Sequence, residues 1–195
     1  ADVIKVESHV RPDVSRIGPF ADNTLGQAWW DKAGTYHVQN NNKRSVTLNF
    51  GTKDGREMVR HLASVSDIVL ENFAPRVLAN FDLNYESLRQ VRPDLVMVSS
   101  SAYGHSGPWK DYTGWGMGME LMTGLSQVTG YSDGGPMRTA VPHTDLPSAH
   151  FAFAAALAAL EQRRQTGRGQ WIDLSQYEAG LSILPQPLLE YAFKG

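Results

Sequence analysis

The chain has 195 residues, 42% of them hydrophobic, enough for a sizeable core, and its formal charge of -2 lacks the basic excess that neutralises a nucleic-acid backbone. It has no cysteine, which excludes disulfides, thiolate nucleophiles and thiolate-bound metals, so any nucleophile is oxygen or nitrogen. The longest apolar stretch, Phe151 to Leu160, is about half of the roughly 20 residues a membrane-spanning helix needs, so no transmembrane helix is predicted.

Asp2 to Val6 is a short β-branched run of the kind a buried parallel strand needs, and it opens the chain without a leading loop. About forty irregular residues rich in Gly, Asn and aromatic side chains follow, and then "SVTLNF" (45–50) predicts a second strand. Met58, Val59, Leu62 and Val65 recur at helical spacing and lead into "DIVLENF" (67–73), another buried-strand pattern. "APRVLANFDLNYESLRQVRPD" (74–94) predicts two short helical pieces, and "LVMVSSSAYG" (95–104) is a parallel strand. A glycine-rich loop then passes into a helix near Met117 to Met122, and glycine lets a backbone approach a ligand closely. From Asp145 a helix is predicted to about Gln165, "TGRGQ" (166–170) turns the chain, and "WIDLS" (171–175) is a strand. "QYEAGLSILPQPLLEYAF" (176–193) is apolar at helical spacing, with a break expected at Pro185 and Pro187. Strands alternating with helices predict an α/β fold with a Rossmann-like parallel sheet flanked by helices. The strand at one end and the helical sequence at the other predict a piece of a longer polypeptide.

Asp145 allows two readings. A Pro at 147, within the first turn, suits a helix start, and an aspartate there is a good N-cap that stabilises the helix by about 1 kcal/mol. The same helix terminus favours an ionised carboxylate, which can serve as a covalent nucleophile held by the rigid alanine-rich helix "AFAAALAAL" (152–160). His143 is a candidate general base two residues upstream, although a lone histidine beside a cap is more often a packing residue. His37, His61 and His105 stand apart, and without HxH or HExxH spacing no metal site is predicted. "ENFAPR" (71–76) lies where a strand gives way to a helix, so its amides and Arg76 either hold a phosphate or form a plain solvated turn. Neither GxGxxG nor GxxxxGK[ST] occurs. Trp109, Trp115, Met117 and Met119 line either an apolar acyl pocket or ordinary core.

"ADVIKVE", "NNNKRSVTLNF", "DIVLENFAP", "PDLVMVSSSAYGHSGP", the Asp145 segment and "ALEQRRQTGRGQWIDLSQYEA" together resemble the class III coenzyme A transferases, the family of formyl-CoA and carnitine CoA-transferases. The blocks run in the family's order from Ala1 to about Ala179. The resemblance implies residues 1–179 as part of a Rossmann-like CoA-binding large domain and 180–195 as a helix leading toward an absent small domain. It implies transfer of CoA from an acyl-CoA donor to a free carboxylic acid, with Asp145 as the nucleophile that passes through a mixed anhydride and an aspartyl-CoA thioester. Carried over, the family's CoA contacts fall on Leu48 near the adenine, on Asn72, Phe73, Ala74 and Pro75 beside the nucleotide, and on Tyr103 and Gly104 toward the pantetheine and acyl end. Family members often carry a basic residue near Asn80 and glycine where Arg76 stands, and Ser8 stands at an often basic or proline position, so Arg76, Arg44 and Lys43 are the substitute phosphate contacts; Ala149 stands at a common glycine, which tightens the pocket slightly.

The resemblance further implies CoA as a substrate rather than a tightly bound cofactor, an interlocked homodimer in the full-length protein, a cytoplasmic location, and a fragment inactive by itself. Its partners are acyl-CoA and carboxylic acid, not nucleic acid or membrane. Two rivals share the residues: a 2-methylacyl-CoA racemase, whose histidine base is here Trp115, and a non-catalytic CoA-binding domain in which Asp145 only caps its helix.

Overall fold

A computed structural model of the chain describes residues 1–20 and 23–194. The chain divides into two compact units, Ala1–Val59 and Arg60–Gly195. In the first, β1 (Val3–Glu7) pairs in parallel with β2 (Lys43–Thr47), in register from Val3 opposite Lys43 to Glu7 opposite Thr47. Strand β2 thus starts and stops before the predicted 45–50, because its length is set by the five residues of β1. Beyond Thr47 the Leu48 N–H still reaches the Glu7 carbonyl at 2.8 Å, and the Asn49 side chain then accepts from the Gly51 N–H and turns the chain. The irregular crossover between the two strands carries α1 (Gly34–Gln39) and is organised by Glu7, which receives both Nε and Nη2 of Arg16 at 2.8 and 2.9 Å and the Tyr36 hydroxyl. That fork holds the Glu7 carboxyl below the usual carboxylate range.

Helix α2 (Lys53–Val65) leads from the first unit into the second, whose sheet is β3 (Ile68–Glu71), β4 (Val96–Ser101) and β5 (Gln170–Ser175), all parallel in the order β3-β4-β5. Parallel pairing demands crossovers. The first runs through two short helices, α3 (Arg76–Ala79) and α4 (Tyr85–Leu88), and the second through α5 (Gly116–Thr123) and the 22-residue α6 (Asp145–Thr166). On one face of the sheet Val98, Ile68, Ile172 and Leu174 pack against Ala152 and Ala156 of α6. Alanine at these positions lets the helix axis approach the sheet, which is the structural use of the alanine run. On the other face Tyr85 stacks on Trp171, and the Trp171 indole N–H donates to the Ser99 hydroxyl at 2.9 Å.

The "TGRGQ" turn has a distinct mechanical explanation. Gly167 ends α6 at φ 70°, a left-handed residue whose N–H closes on the Arg163 carbonyl at 2.7 Å. Arg163, in the last turn, donates to the Asp67 carboxylate at 2.8 Å and to the Asp67 and Asp94 carbonyls, so the end of the helix is tied to the starts of β3 and β4. Gly169 then passes so close to the Asp94 and Leu95 backbone that a Cβ there would collide with both residues' carbonyl oxygens. Backbone cannot swing aside as a side chain can, so Gly169→Ala is expected to destabilise the fold by about 2 kcal/mol, twice the roughly 1 kcal/mol of Gly167→Ala. Chemical denaturation of the two variants checks the order, and equal losses would contradict it.

After β5 come α7 (Gln176–Leu181) and α8 (Pro185–Lys194). The predicted break falls at Ser182–Leu184 rather than at the prolines. Pro185 and Pro187 occupy the first turn of α8, where their missing N–H groups would have no intrahelical partner in any case. The outward side of α6 and much of α8 stay uncovered within the chain, with Phe153 66% and Phe193 85% exposed. No helix among the described residues is long and apolar enough to cross a membrane.

Candidate active site

Because the three strands of the second unit are parallel, Glu71, Ser101 and Ser175 end at one edge of the sheet, and the segments leaving them share that edge. Open parallel sheets bind ligands in the crevice beyond the carboxyl ends of their strands. Gln176 follows β5 directly, and its Nε2 donates to Oδ1 of Asp145. This bond holds the Asp145 carboxylate, at the start of α6, to the same edge.

Asp145 is the first residue of α6 and is not its cap. Thr144 holds the N-cap position with no side-chain capping bond, and its buried hydroxyl donates to the Gly116 carbonyl at 3.1 Å. The sequence reading of Asp145 as the N-cap is thereby corrected: the turn starts one residue earlier, through the Asp145 N–H to the Pro142 carbonyl at 3.1 Å, and the carboxylate is left for other partners. It is half-buried, and no hydrogen bond reaches Oδ2 among the described residues. Burial pushes its pKa above the ordinary 3.8; the Gln176 bond opposes that shift and the charge of Glu120 adds to it. A Cβ on the buried Gly116 would stand 2.7 Å from both carboxyl oxygens and would run into the Pro142 ring.

Glu120 of α5 is fully buried, and its Oε1 accepts from the Thr139 hydroxyl and from the His143 N–H at 2.8 Å. The His143 ring turns its Nδ1 toward the Thr139 hydroxyl and the Val141 carbonyl, each at 3.0 Å, with Glu120 Oε1 at 3.7 Å. The contact of His143 with Glu120 is thus made chiefly by its backbone N–H, while its ring engages Thr139 and Val141.

The β3–α3 turn carries Asn72, Phe73, Ala74, Pro75 and Arg76. The Phe73 N–H donates to Glu71 Oε2 at 2.7 Å, so the buried last residue of β3 shapes the turn from behind, while Asn72, Phe73 and Arg76 are exposed. Burial raises the Glu71 pKa, which the Ser99 hydroxyl and the Phe73 N–H oppose. Glu71, Pro75, Leu78, Ser99, His105 and Trp171 line a cavity of about 210 Å³ on this side of the sheet. With only four residues, α3 offers little dipole to an anion, so recognition at this turn falls to the exposed side chains and the Arg76 charge.

Beyond β4, the half-buried Tyr103 sits among Trp109, Tyr112 and Tyr177 at ring-centre distances of 5.7, 6.3 and 5.8 Å. Burial, and then Tyr177, raises its pKa. Gly104 takes φ +79°, which lets the next residue, His105, set both its N–H and its Nδ1 on the Asp173 carboxylate, at 3.0 and 3.1 Å. Met119 is fully buried core, whereas Trp115 is 64% and Trp109 39% exposed, so the methionine and tryptophan group divides between interior and surface.

The structure therefore gathers Asn72 to Arg76, Tyr103, Gly104 and Asp145 along one sheet edge. Leu48 belongs to the first unit, half-buried just after β2. Arg44 and Lys43, also in the first unit, are engaged locally, Arg44 with Asp2 and Lys43 with the Gln39 carbonyl at 2.8 Å and the Asn40 side chain at 3.0 Å. Among the described residues no group of three or more His, Cys, Asp or Glu is placed to hold a metal ion. Sequence reasoning missed Gln176, Gly116 and Glu71. The position of Gln176 and Glu71 at the ends of predicted parallel strands was the available signal.

Similarity to known proteins extends over the whole chain. The model of CoA-transferase family III matches residues 1–195. The chain is 35% identical to the succinyl-CoA–D-citramalate CoA-transferase of Chloroflexus aurantiacus, over 100% of this chain and 47% of that protein. It is 31% identical to human succinyl-CoA:glutarate CoA-transferase, over 98% of this chain and 42% of that protein. A crystal structure of a CAIB/BAIF family protein from Brucella suis superposes with a TM-score of 0.89 at 34% identity, covering 100% of this chain and 50% of the other. The chain thus spans about half the length of the relatives it matches.

Proposed function

This chain belongs to CoA-transferase family III, and from that membership we propose that it forms the nucleophile-bearing part of an enzyme that moves coenzyme A from an acyl-CoA to a free carboxylic acid. Asp145 is the nucleophile. Its Oδ2 attacks the thioester carbonyl carbon, the C–S bond breaks, and CoA leaves as the thiolate from a mixed anhydride. The thiolate then attacks Cγ of Asp145, releasing the donor acid and leaving an aspartyl-CoA thioester. The acceptor carboxylate then attacks the aspartyl thioester, expelling the CoA thiolate and forming a second mixed anhydride, and the thiolate attacks the acceptor's acyl carbonyl to give the product acyl-CoA and the free aspartate.

The observation that carries this reading is the state of the Asp145 carboxylate: half-buried at the carboxyl edge of the parallel sheet, not used in capping, with one oxygen held by Gln176 and the other without a hydrogen bond among the described residues. A carboxylate released from structural duty and partly stripped of water is a stronger nucleophile than one in solution. The CoA contacts we propose are Asn72 to Pro75 with Arg76 for the nucleotide end, Tyr103 and Gly104 toward the pantetheine, and Leu48 for the adenine. The succinyl-CoA substrates in the relatives' names make a dicarboxylic acyl-CoA the first donor to test.

Incubating the full-length protein with succinyl-CoA, quenching with hydroxylamine and mapping peptides by mass spectrometry tests the intermediate. A hydroxamate on Asp145 is expected. Transfer activity with the modification on any other residue, or on none, removes Asp145 from the mechanism.

A further inference from the structure

Gln176 sits at the first position of α7 immediately after β5, and several contacts fix it there. The Ser175 hydroxyl accepts from the Glu178 N–H at 3.3 Å, and the Tyr177 N–H donates to the Ala102 carbonyl at 2.9 Å, binding the start of α7 to the end of β4. At the far end of the helix, a Cβ on the buried Gly180 would press within 2.9 Å of Thr144 Cγ2 and 3.0 Å of Thr123 Cγ2. Helix α7 is therefore packed against the residue before Asp145 and against α5. The elements that place Gln176 also place the carboxylate, the rigid support that a reacting group needs.

We propose that Gln176 is a catalytic hydrogen-bond donor, its Nε2 holding the Asp145 oxygen that stays on the protein throughout transfer and stabilising the negative charge that forms there. The inference rests on the proposed role of Asp145. Once Oδ2 carries the acyl group, thiolate attack on Cγ pushes the C=O pair onto Oδ1. Collapse of that adduct restores Cγ=Oδ1 and expels the donor carboxylate together with the bridging oxygen. When the acceptor carboxylate attacks the aspartyl thioester, the charge forms on Oδ1 again, and its collapse breaks the C–S bond. Oδ1 is thus the oxyanion position of both attacks on the enzyme's own carbonyl, and among the described residues the Gln176 amide is the donor that reaches it. A preorganised donor at such a position acts more strongly than water because it needs no reorientation. The other side chains facing this carboxylate are not donors to it: Glu120 on α5 is acidic, and the His143 ring is turned to Thr139 and Val141.

The test is Gln176→Met in the full-length enzyme, which keeps the side chain's length and removes its donor, with Gln176→Glu and Asp145→Asn beside it. For Gln176→Met a fall in kcat of about 100-fold is expected, with KM for acyl-CoA nearly unchanged and the acid limb of the kcat profile moved to higher pH. In Gln176→Glu the two carboxyls share a proton, so residual activity is expected to peak at lower pH than wild type, where the introduced carboxyl is protonated and can donate. An unchanged kcat in Gln176→Met, or a fall in activity with the acid limb unmoved in both variants, overturns the proposal. If Asp145→Asn itself turns over normally, the proposed nucleophile fails instead, and the two failures are told apart.

Discussion

Asp145→Asn in the full-length enzyme is expected to lower kcat by at least about 10,000-fold while acyl-CoA still binds, since a nucleophile is lost and the binding surface is left intact. The amide preserves the volume, and its carbonyl oxygen can keep the Gln176 bond, so the site should not collapse. Equilibrium binding of an acyl-CoA, measured beside steady-state turnover, separates the two effects. Retained turnover would return Asp145 to a structural role and leave a binding module. Loss of binding together with turnover would mean that the carboxylate shapes the pocket.

The pH behaviour of the same residue gives a second measure with a definite sign. Burial raises the folded-state pKa of Asp145 above 3.8, with Gln176 opposing and Glu120 reinforcing the shift. A carboxyl with a raised folded pKa favours the fold in its protonated form. That contribution is fully present below the unfolded value and is lost as pH rises through the folded value. At neutral pH the ionised group therefore costs stability, so Asp145→Asn should melt at a higher temperature than wild type at pH 7, with the difference shrinking as pH falls toward 3.8. Activity follows the opposite course, because only the ionised form attacks: the acid limb of kcat/KM should lie above 3.8. A stabilised, inactive variant is the signature of a side chain retained for chemistry. A destabilised one would point to a structural carboxylate.

The strands of the second unit were legible because a parallel strand buried on both faces is apolar along its whole length: "LVMV" became Leu95 to Val98, all 2% exposed or less. The end of β2 was not legible, because its limit is set by the length of β1, a partner forty residues upstream in register. Asp145 stood out through its position before the alanine run, yet the rule that makes aspartate a helix cap gave it the wrong local duty. What overrides that rule is the Thr144 hydroxyl bonded to the Gly116 carbonyl, 28 residues away, and the Asp145 carboxylate bonded to Gln176, 31 residues away. Helix caps are local and therefore readable, whereas a carboxylate's partners across two helices become visible only once the sheet has brought β5 beside the start of α6. The β3–α3 turn divides the same way. Its position was plain from the strand, but its shape comes from Glu71, whose side chain looks from sequence like one more strand residue.

Gly116→Ala is expected to cost about 100-fold in kcat and about 2 kcal/mol in stability, while Gly118→Ala, two residues along the same helix, should cost nothing in either. Both glycines lie in α5, so the loss of backbone freedom and the gain in helix propensity are alike; alanine would favour the helix by roughly 0.5–1 kcal/mol at each position. They differ in surroundings. A Cβ at 118 meets the Trp115 ring at an ordinary 3.6 Å. A Cβ at 116 meets the rigid Pro142 ring and both Asp145 oxygens at 2.7 Å, closer than a real methyl group tolerates. The proline cannot rotate away, so the carboxylate must turn or α5 must shift. Turning breaks the Gln176 bond, and a shift strains the Thr144 hydroxyl bond to the Gly116 carbonyl that sets the start of α6. Either response displaces the nucleophile by a fraction of an ångström to an ångström, and misplacement on that scale is enough for a loss of about two orders of magnitude. The KM for acyl-CoA should change little, because the proposed nucleotide contacts lie on other segments. Full activity in Gly116→Ala would mean that the carboxylate reacts from somewhere other than its position beside Gln176.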